Sequence, residues 1–163
     1  MKDTYLPATD APPTGKLRSP LAPVALTALR AIQTTKVCPK GFELFLEGRK
    51  PCGIYILYSG RVELSIADSV GRRMVLGSAL PGDILGLSAA VSGTHYEETA
   101  VAAVTSQTGF VKCQDFLHFM ARHPEAAFWV VQLLSDRVTA TLDQLSCIND
   151  KPSRDIRQLR RTQ

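Results

Sequence analysis

The chain lacks any run of apolar residues close to the ~18 needed for a membrane-spanning helix. Its first ten residues, MKDTYLPATD, contain no apolar signal core. Both absences argue against a secreted or helical membrane protein and predict a cytoplasmic one with no membrane partner. Metal-ligand spacing is missing too. Cys38, Cys52, Cys113 and Cys147 include no Cys-x-x-Cys pair and no Cys/His spacing of the kind that holds zinc or an iron-sulfur cluster, so reduced thiols are expected. A Gly-x-Ser-x-Gly elbow is absent, and Ser88 and Cys113 have no base and orienting carboxylate at a motif spacing, which argues against nucleophilic catalysis. Nor is there a large excess of one charge. A net +4 over 163 residues, with both signs scattered, does not by itself point to nucleic acid.

What remains is one domain's worth of chain, 45% hydrophobic and so able to bury a substantial core. Residues 1–20 carry Pro7, Pro12, Pro13 and Pro20 among polar residues and are expected to form a flexible arm. From Leu21, the residues Val24, Leu26, Leu29 and Ile32 recur at near-helical spacing. Between Thr34 and Lys112 short strands alternate with glycine turns at Gly41, Gly48, Gly53, Gly60, Gly71 and Gly82. Val62, Leu64 and Ile66 alternate with Glu63, Ser65 and Ala67, which predicts a strand with one buried face. Strands at this spacing predict a sandwich or jelly roll.

Past Lys112 the period changes. Phe116, Leu117, Phe119 and Met120 predict a short amphipathic helix ending near His123-Pro124, and a longer helix follows over 124–148. Ala127, Val131, Leu134, Val138, Thr141, Leu145 and Ile148 fall at steps of four and three, an a/d seam of three heptads. Phe128, Val130, Leu133 and Leu142 supply a second apolar face. A helix with two such faces needs two partners, the barrel and a second copy. Each buried Val or Leu is worth about 1.5–3 kcal/mol, so a few layers offset the cost of association. A homodimer through this helix is expected. The last segment, 150–163, sets Lys151, Arg154, Arg157, Arg160 and Arg161 against Asp150 and Asp155 and is read as a basic tail.

PKGFELFLEG (39 to 48), IYILYSGRVEL (54 to 64) and PGDILGLSAAVSG (81 to 93), followed by a long dimer-type helix, resemble the effector domain of the CRP/FNR regulators over about residues 21–149. GDILGLSAAVSG is more similar to the FNR branch. The resemblance implies a mainly β fold, an eight-stranded β-roll of the cyclic-nucleotide-binding type with flanking helices and a long C-terminal dimerisation helix. It also implies a phosphate-binding cassette at Gly86 through Thr99, including Gly86, Leu87, Ser88, Ala89, Glu97, Glu98 and Thr99. In the family, backbone N–H groups, an arginine and a glutamate converge there on one sugar-phosphate. A signal would pass from Leu87, Ser88 and Glu97 to the neighbourhood of Thr141 and Leu142.

Two positions depart from the family pattern. Without gaps, Leu87 stands in the place of the ribose glutamate and Glu97 in that of the phosphate arginine, with Glu98 beside it. Carboxylates facing a phosphate argue against cyclic AMP or cyclic GMP as ligand. The site is expected to be degenerate, to take another ligand, or to be a structural corner, and no particular cofactor is implied. The alternatives are a cyclic-nucleotide binder with a non-standard pocket, and an interaction subunit that pairs with a full-length regulator. A cluster sensor is disfavoured, because no cysteine precedes residue 34. A cupin-like metal site at His95, Glu97 and Glu98 lacks its further histidines, since His118 and His123 lie beyond the barrel, and Glu97 and Glu98 are expected to face solvent or an arginine such as Arg72. The family's winged helix-turn-helix needs about 60–70 residues, more than follow Ile148 here, so this chain alone is not expected to read DNA sequence.

Overall fold

A computed structural model describes residues 23–149. The expected arm 1–20 and tail 150–163 lie outside the described residues. In chain order the elements are α1 (Pro23–Ala31), β1 (Thr34–Cys38), β2 (Glu43–Phe45), β3 (Gly53–Ser59), β4 (Val62–Ala67), β5 (Arg73–Ala79), β6 (Ile84–Leu85), α2 (Leu87–Ser92), β7 (Thr99–Ala102), β8 (Ser106–Lys112), α3 (Cys113–Arg122) and α4 (Pro124–Asn149). The eight strands form two antiparallel four-stranded sheets, ordered β1-β8-β3-β6 and β2-β7-β4-β5. This is the β-roll with flanking helices that the sequence led us to expect.

β3 explains why the roll and the helices form one body. Its run GIYILYS does not alternate between apolar and polar residues, as a strand covered on both faces should not. Ile54 and Ile56 enter a core shared with Leu29 of α1, Val111 of β8, Phe116 and Phe119 of α3, and Trp129 of α4. Leu57, with Tyr55 packed beside it, enters the other core, inside the roll, with Leu44, Phe45, Val62, Leu85 and Ala100. α2 is wedged between the two. Leu87 and Ala90 reach the helical core and Ala89 reaches the roll core, which is why a six-residue helix of small side chains fits there.

On β4, Val62 is buried and Leu64 packs on the roll core, as alternation predicts. The opposite face is not wholly wet, since Ser65 is 1% exposed. Arg73 covers it: the Nε–H donates to Ser65 Oγ at 2.8 Å while the guanidinium pairs with Glu63 at 2.9 Å. The neighbouring β5 is the edge strand and leaves Met74, Val75 and Leu76 half exposed.

α4 begins at Pro124, a residue suited to a first helical position because it has no N–H to leave unpaired. Its faces are phased differently from the seam read in the sequence. Ala126, Trp129 and Val130 are buried against the helical core, and Leu133 and Leu134 pack on it. Leu134 therefore belongs to the intramolecular face. Ala127 is exposed, and the apolar stripe open to solvent is Phe128, Val131, Val138 and Leu142, between 57% and 66% exposed. The side chains of Thr141, Leu145 and Ile148 lie outside the described residues.

Candidate functional site

The cassette runs from Gly86 to Thr99. Gly86 has φ +73, a left-handed conformation that a side chain would strain, and an added Cβ would lie 2.8 Å from the Tyr96 ring. Only glycine lets the chain turn from β6 into α2 while the tyrosine packs beneath it. α2 ends at Gly93, also left-handed, whose N–H donates to the Ala89 carbonyl at 2.9 Å. Ser92 Oγ donates to the Ser88 carbonyl at 2.8 Å and lies 2.7 Å from Thr94 Oγ1, so the polar atoms at this end are occupied locally.

Tyr96 is the residue that fixes the return loop, and no motif in the sequence assigned it that task. It is 3% exposed and stacks on Phe45 with ring centroids 4.1 Å apart. Its hydroxyl donates to the Gly53 carbonyl at 2.7 Å and accepts from the N–H of Cys52 at 3.2 Å and of Gly53 at 3.3 Å. Burial holds its phenol well above the ordinary tyrosine range, so the hydroxyl keeps its proton and its donor role. Its backbone is tied as well, with Tyr96 N–H donating to Arg49 carbonyl and Gly48 N–H to Tyr96 carbonyl. Gly53 leaves room for this junction, since a Cβ there would collide with the Val111 carbonyl and the Phe110 ring. A lone aromatic in the polar stretch THYEET was the available signal.

The positions singled out from the family pattern separate into two groups. Leu87 is 1% exposed and packs in the helical core. At this cassette position its side chain has a packing role. A carboxylate placed there would be buried among Phe116 and Trp129 rather than offered to a sugar. Ala89 is likewise buried, on the roll side. Ser88 and Glu97 do come together, because Ser88 Oγ donates to Glu97 Oε1 at 2.9 Å across the mouth of the cassette. Thr99 Oγ1 accepts from the Glu47 N–H at 3.0 Å, and Glu47 Oε2 accepts from the Ala67 N–H at 2.7 Å, which ties β7 and β4 to the loop after β2.

Glu98 is half buried beside Glu97, and Arg137 of α4 lies within electrostatic reach of it. Burial pushes its carboxyl above the usual glutamate value, with the Arg137 guanidinium pulling the other way and the Glu97 carboxylate adding to the rise. The arginine within electrostatic reach of Glu98 is thus Arg137. Arg72, expected from the sequence, is instead bound to Asp68 at 2.8 Å. His95 is exposed, and among the described residues no three His, Cys, Asp or Glu are placed to hold a metal.

Residues 35–123, from β1 to the end of α3, match the cyclic nucleotide-binding domain family, and the chain belongs to it. Among curated proteins it is similar to patatin-like phospholipase domain-containing protein 7 of Mus musculus, 28% identical over 106 residues. That stretch is 61% of this chain and only 8% of the relative's length. Among solved structures it resembles the catabolite activator protein of Thermus thermophilus with TM-score 0.72 and 22% identity, over 82% of this chain and 62% of that one. It also resembles the sensor domain of the transcriptional regulator DNR from Pseudomonas aeruginosa, TM-score 0.63 and 25% identity, over 78% of this chain and 85% of that one. The domain is therefore a cyclic-nucleotide-binding fold similar to the sensor domains of transcription regulators, and no described helix is long and apolar enough to cross a membrane.

Two predictions follow from this geometry. Tyr96→Phe removes the acceptor of two N–H groups and the donor to one carbonyl at a buried junction. It is expected to cost about 1–3 kcal/mol of unfolding free energy, measured by urea denaturation; a loss below about 0.5 kcal/mol would mean that water replaces the hydroxyl. For Glu98, the raised folded value means that the folded state binds more protons than the unfolded one. Its contribution to stability is therefore fully present below the ordinary glutamate value and is lost as pH rises through the raised one. Thermal melts should show Glu98→Gln gaining on the parent protein from pH 4 to pH 7, and an unchanged difference would contradict the shift.

Proposed function

We propose that this chain is the non-enzymatic effector module of a CRP/FNR-type transcription regulator, nearest the FNR branch in its cassette, whose cyclic-nucleotide site is degenerate. The observation that carries this is the Ser88–Glu97 hydrogen bond. Where a cyclic phosphate needs converging donors, the Ser88 hydroxyl is directed at a carboxylate of the chain itself. A phosphate brought to about 4 Å from that carboxylate would meet a repulsion of roughly 1 kcal/mol in bulk water and 4 kcal/mol at a protein-surface dielectric. Loss of a charge-assisted donor forfeits about 1.5–3 kcal/mol more. Together these amount to about 2.5–7 kcal/mol, on the order of a hundredfold to a hundred-thousandfold in affinity.

The helix α4 supports the same reading. In a regulator of this family the ligand links the cassette to the long helix; here Glu98 and Arg137 supply a link between those two elements without a ligand. The signal that the module reports is then another small molecule, or a partner. The exposed stripe Phe128, Val131, Val138 and Leu142 favours a homodimer through α4, since four large apolar side chains along one helix face are costly to leave in water.

Titration calorimetry of the full chain with cyclic AMP and with cyclic GMP is expected to give no heat of binding at micromolar ligand, and saturable binding of either overturns the degenerate-site reading. The pairing is checked separately by sedimentation velocity. The parent chain should run as a dimer and Val138→Asp as a monomer with an unchanged circular-dichroism spectrum; a parent chain that is monomeric at all concentrations refutes the homodimer.

A further inference from the structure

Two of the cysteines that the sequence leaves apart are brought face to face where β3 begins and β8 ends. The β3–β8 ladder pairs Ile54 with Val111 and ends with Gly53 and Lys112, and Cys52 and Cys113 are the residues just beyond it. The Cys113 N–H, at the start of α3, donates to the Cys52 carbonyl at 3.0 Å, so one backbone bond joins the two residues. Directly opposed antiparallel residues sit about 4.5–5.5 Å apart at Cα. Disulfides span about 4.4–6.8 Å between Cα atoms, so two residues joined at the end of such a ladder start from a spacing that a disulfide can use. Both thiols are free.

We propose that Cys52 and Cys113 form a redox modification site, a dithiol that a hydroperoxide converts to a cross-strand disulfide. The two cysteines are suited to different steps. Cys52 is exposed, whereas Cys113 is half buried and donates its S–H to the Pro51 carbonyl at 3.4 Å. Burial and the neighbouring Cys52 both raise the Cys113 thiol above its ordinary range, and its half-buried position screens it from an external oxidant that exposed Cys52 meets first. Cys52, as thiolate, attacks the peroxide O–O bond and becomes a sulfenic acid, releasing the other oxygen as hydroxide or alkoxide. The Cys113 sulfur then displaces hydroxide from the Cys52 sulfur, forming the S–S bond, and the proton leaving Cys113 completes a water molecule. Two electrons pass from the two sulfurs to the peroxide. Cys38 is a poor competitor, being fully buried with its sulfur 3.7 Å from the Thr108 hydroxyl.

Oxidation at this point acts on the cassette through Tyr96. In the dithiol form the Cys52 sulfur lies 3.6 Å from the Tyr96 hydroxyl and the Cys52 N–H donates to the same oxygen. Turning the sulfur towards Cys113 removes one of these contacts and pulls on the other. The anchor of the return loop is therefore loosened from the β3 side, whatever ligand the cassette takes.

The test is peroxide oxidation of the full reduced chain, followed by alkylation and non-reducing peptide mapping. A peptide pair joined through Cys52 and Cys113, lighter by two hydrogens and restored by dithiothreitol, is expected; it should be lost in Cys113→Ser, which should instead trap the sulfenic acid at Cys52 for a dimedone probe. Mapping of the parent chain decides even if the variant misfolds: oxidation confined to Cys52 without the linked pair, or a link from Cys52 to another chain, overturns the site. Hydrogen exchange of the oxidised chain should be faster over residues 93–99 than in the reduced chain, and unchanged exchange there refutes the coupling to Tyr96.

Discussion

The structure depends on a buried phenol held against the first residues of a strand. Tyr96 belongs to the loop that returns from α2, while the groups it satisfies belong to Cys52 and Gly53 at the start of β3. An N–H or carbonyl left unpaired in a core costs about 1–3 kcal/mol, and here three such groups depend on one side chain. The hydroxyl thereby fixes the register of the cassette on the roll. Gly86 and Gly53 are the permissive partners, the first letting the chain turn above the ring and the second letting β8 close below it. The Phe45 ring completes the site by covering the face of the phenol.

Much else is arranged around β3, which faces two cores at once. α2 reaches both of these cores, and α3 and α4 are joined through the helical one. A displacement of α2 would therefore be felt on both sides, and the Arg137 charge acting on Glu98 adds an electrostatic link from the end of the cassette to α4. Cassette and long helix share a wall even with no ligand between them.

The strands and α3 were legible in the sequence because each has a single dominant pattern. Glycine turns bracket the strand region from Thr34 to Lys112, and Phe116 and Phe119 mark the buried face of α3. α4 was harder for a physical reason. Val130 and Val131, and again Leu133 and Leu134, are adjacent apolar pairs, so over the first turns a stripe through Ala126, Val130 and Leu133 competes with the seam through Ala127, Val131 and Leu134. Packing selects between them: Trp129 and Val130 go inward, and Phe128 joins Val131 outside. Leu87 was legible only in part. Its place in the family pattern set it in the cassette, whereas its packing at the first position of a short helix between two cores follows from tertiary contacts that the pattern does not carry. Arg137 could not be read at all, because its approach to Glu98 joins elements far apart in the chain.

The carboxylates of the cassette differ in their surroundings, and the difference bears on what the site recognises. Glu97 is exposed and already accepts the Ser88 hydroxyl, which leaves it an acceptor-rich group at the mouth. Glu98 is half buried, its charge opposed by desolvation and by Glu97 and favoured by Arg137. A ligand that brought a donor or a positive group would relieve the repulsion between the two glutamates, and one that brought a phosphate would increase it. At the end of the cassette two carboxylates thus stand side by side, with the Arg137 guanidinium within electrostatic reach of Glu98. Any ligand drawn to Glu98 must also compete with Arg137, so binding at the cassette would alter the hold on α4 by electrostatics alone, before any movement of the roll.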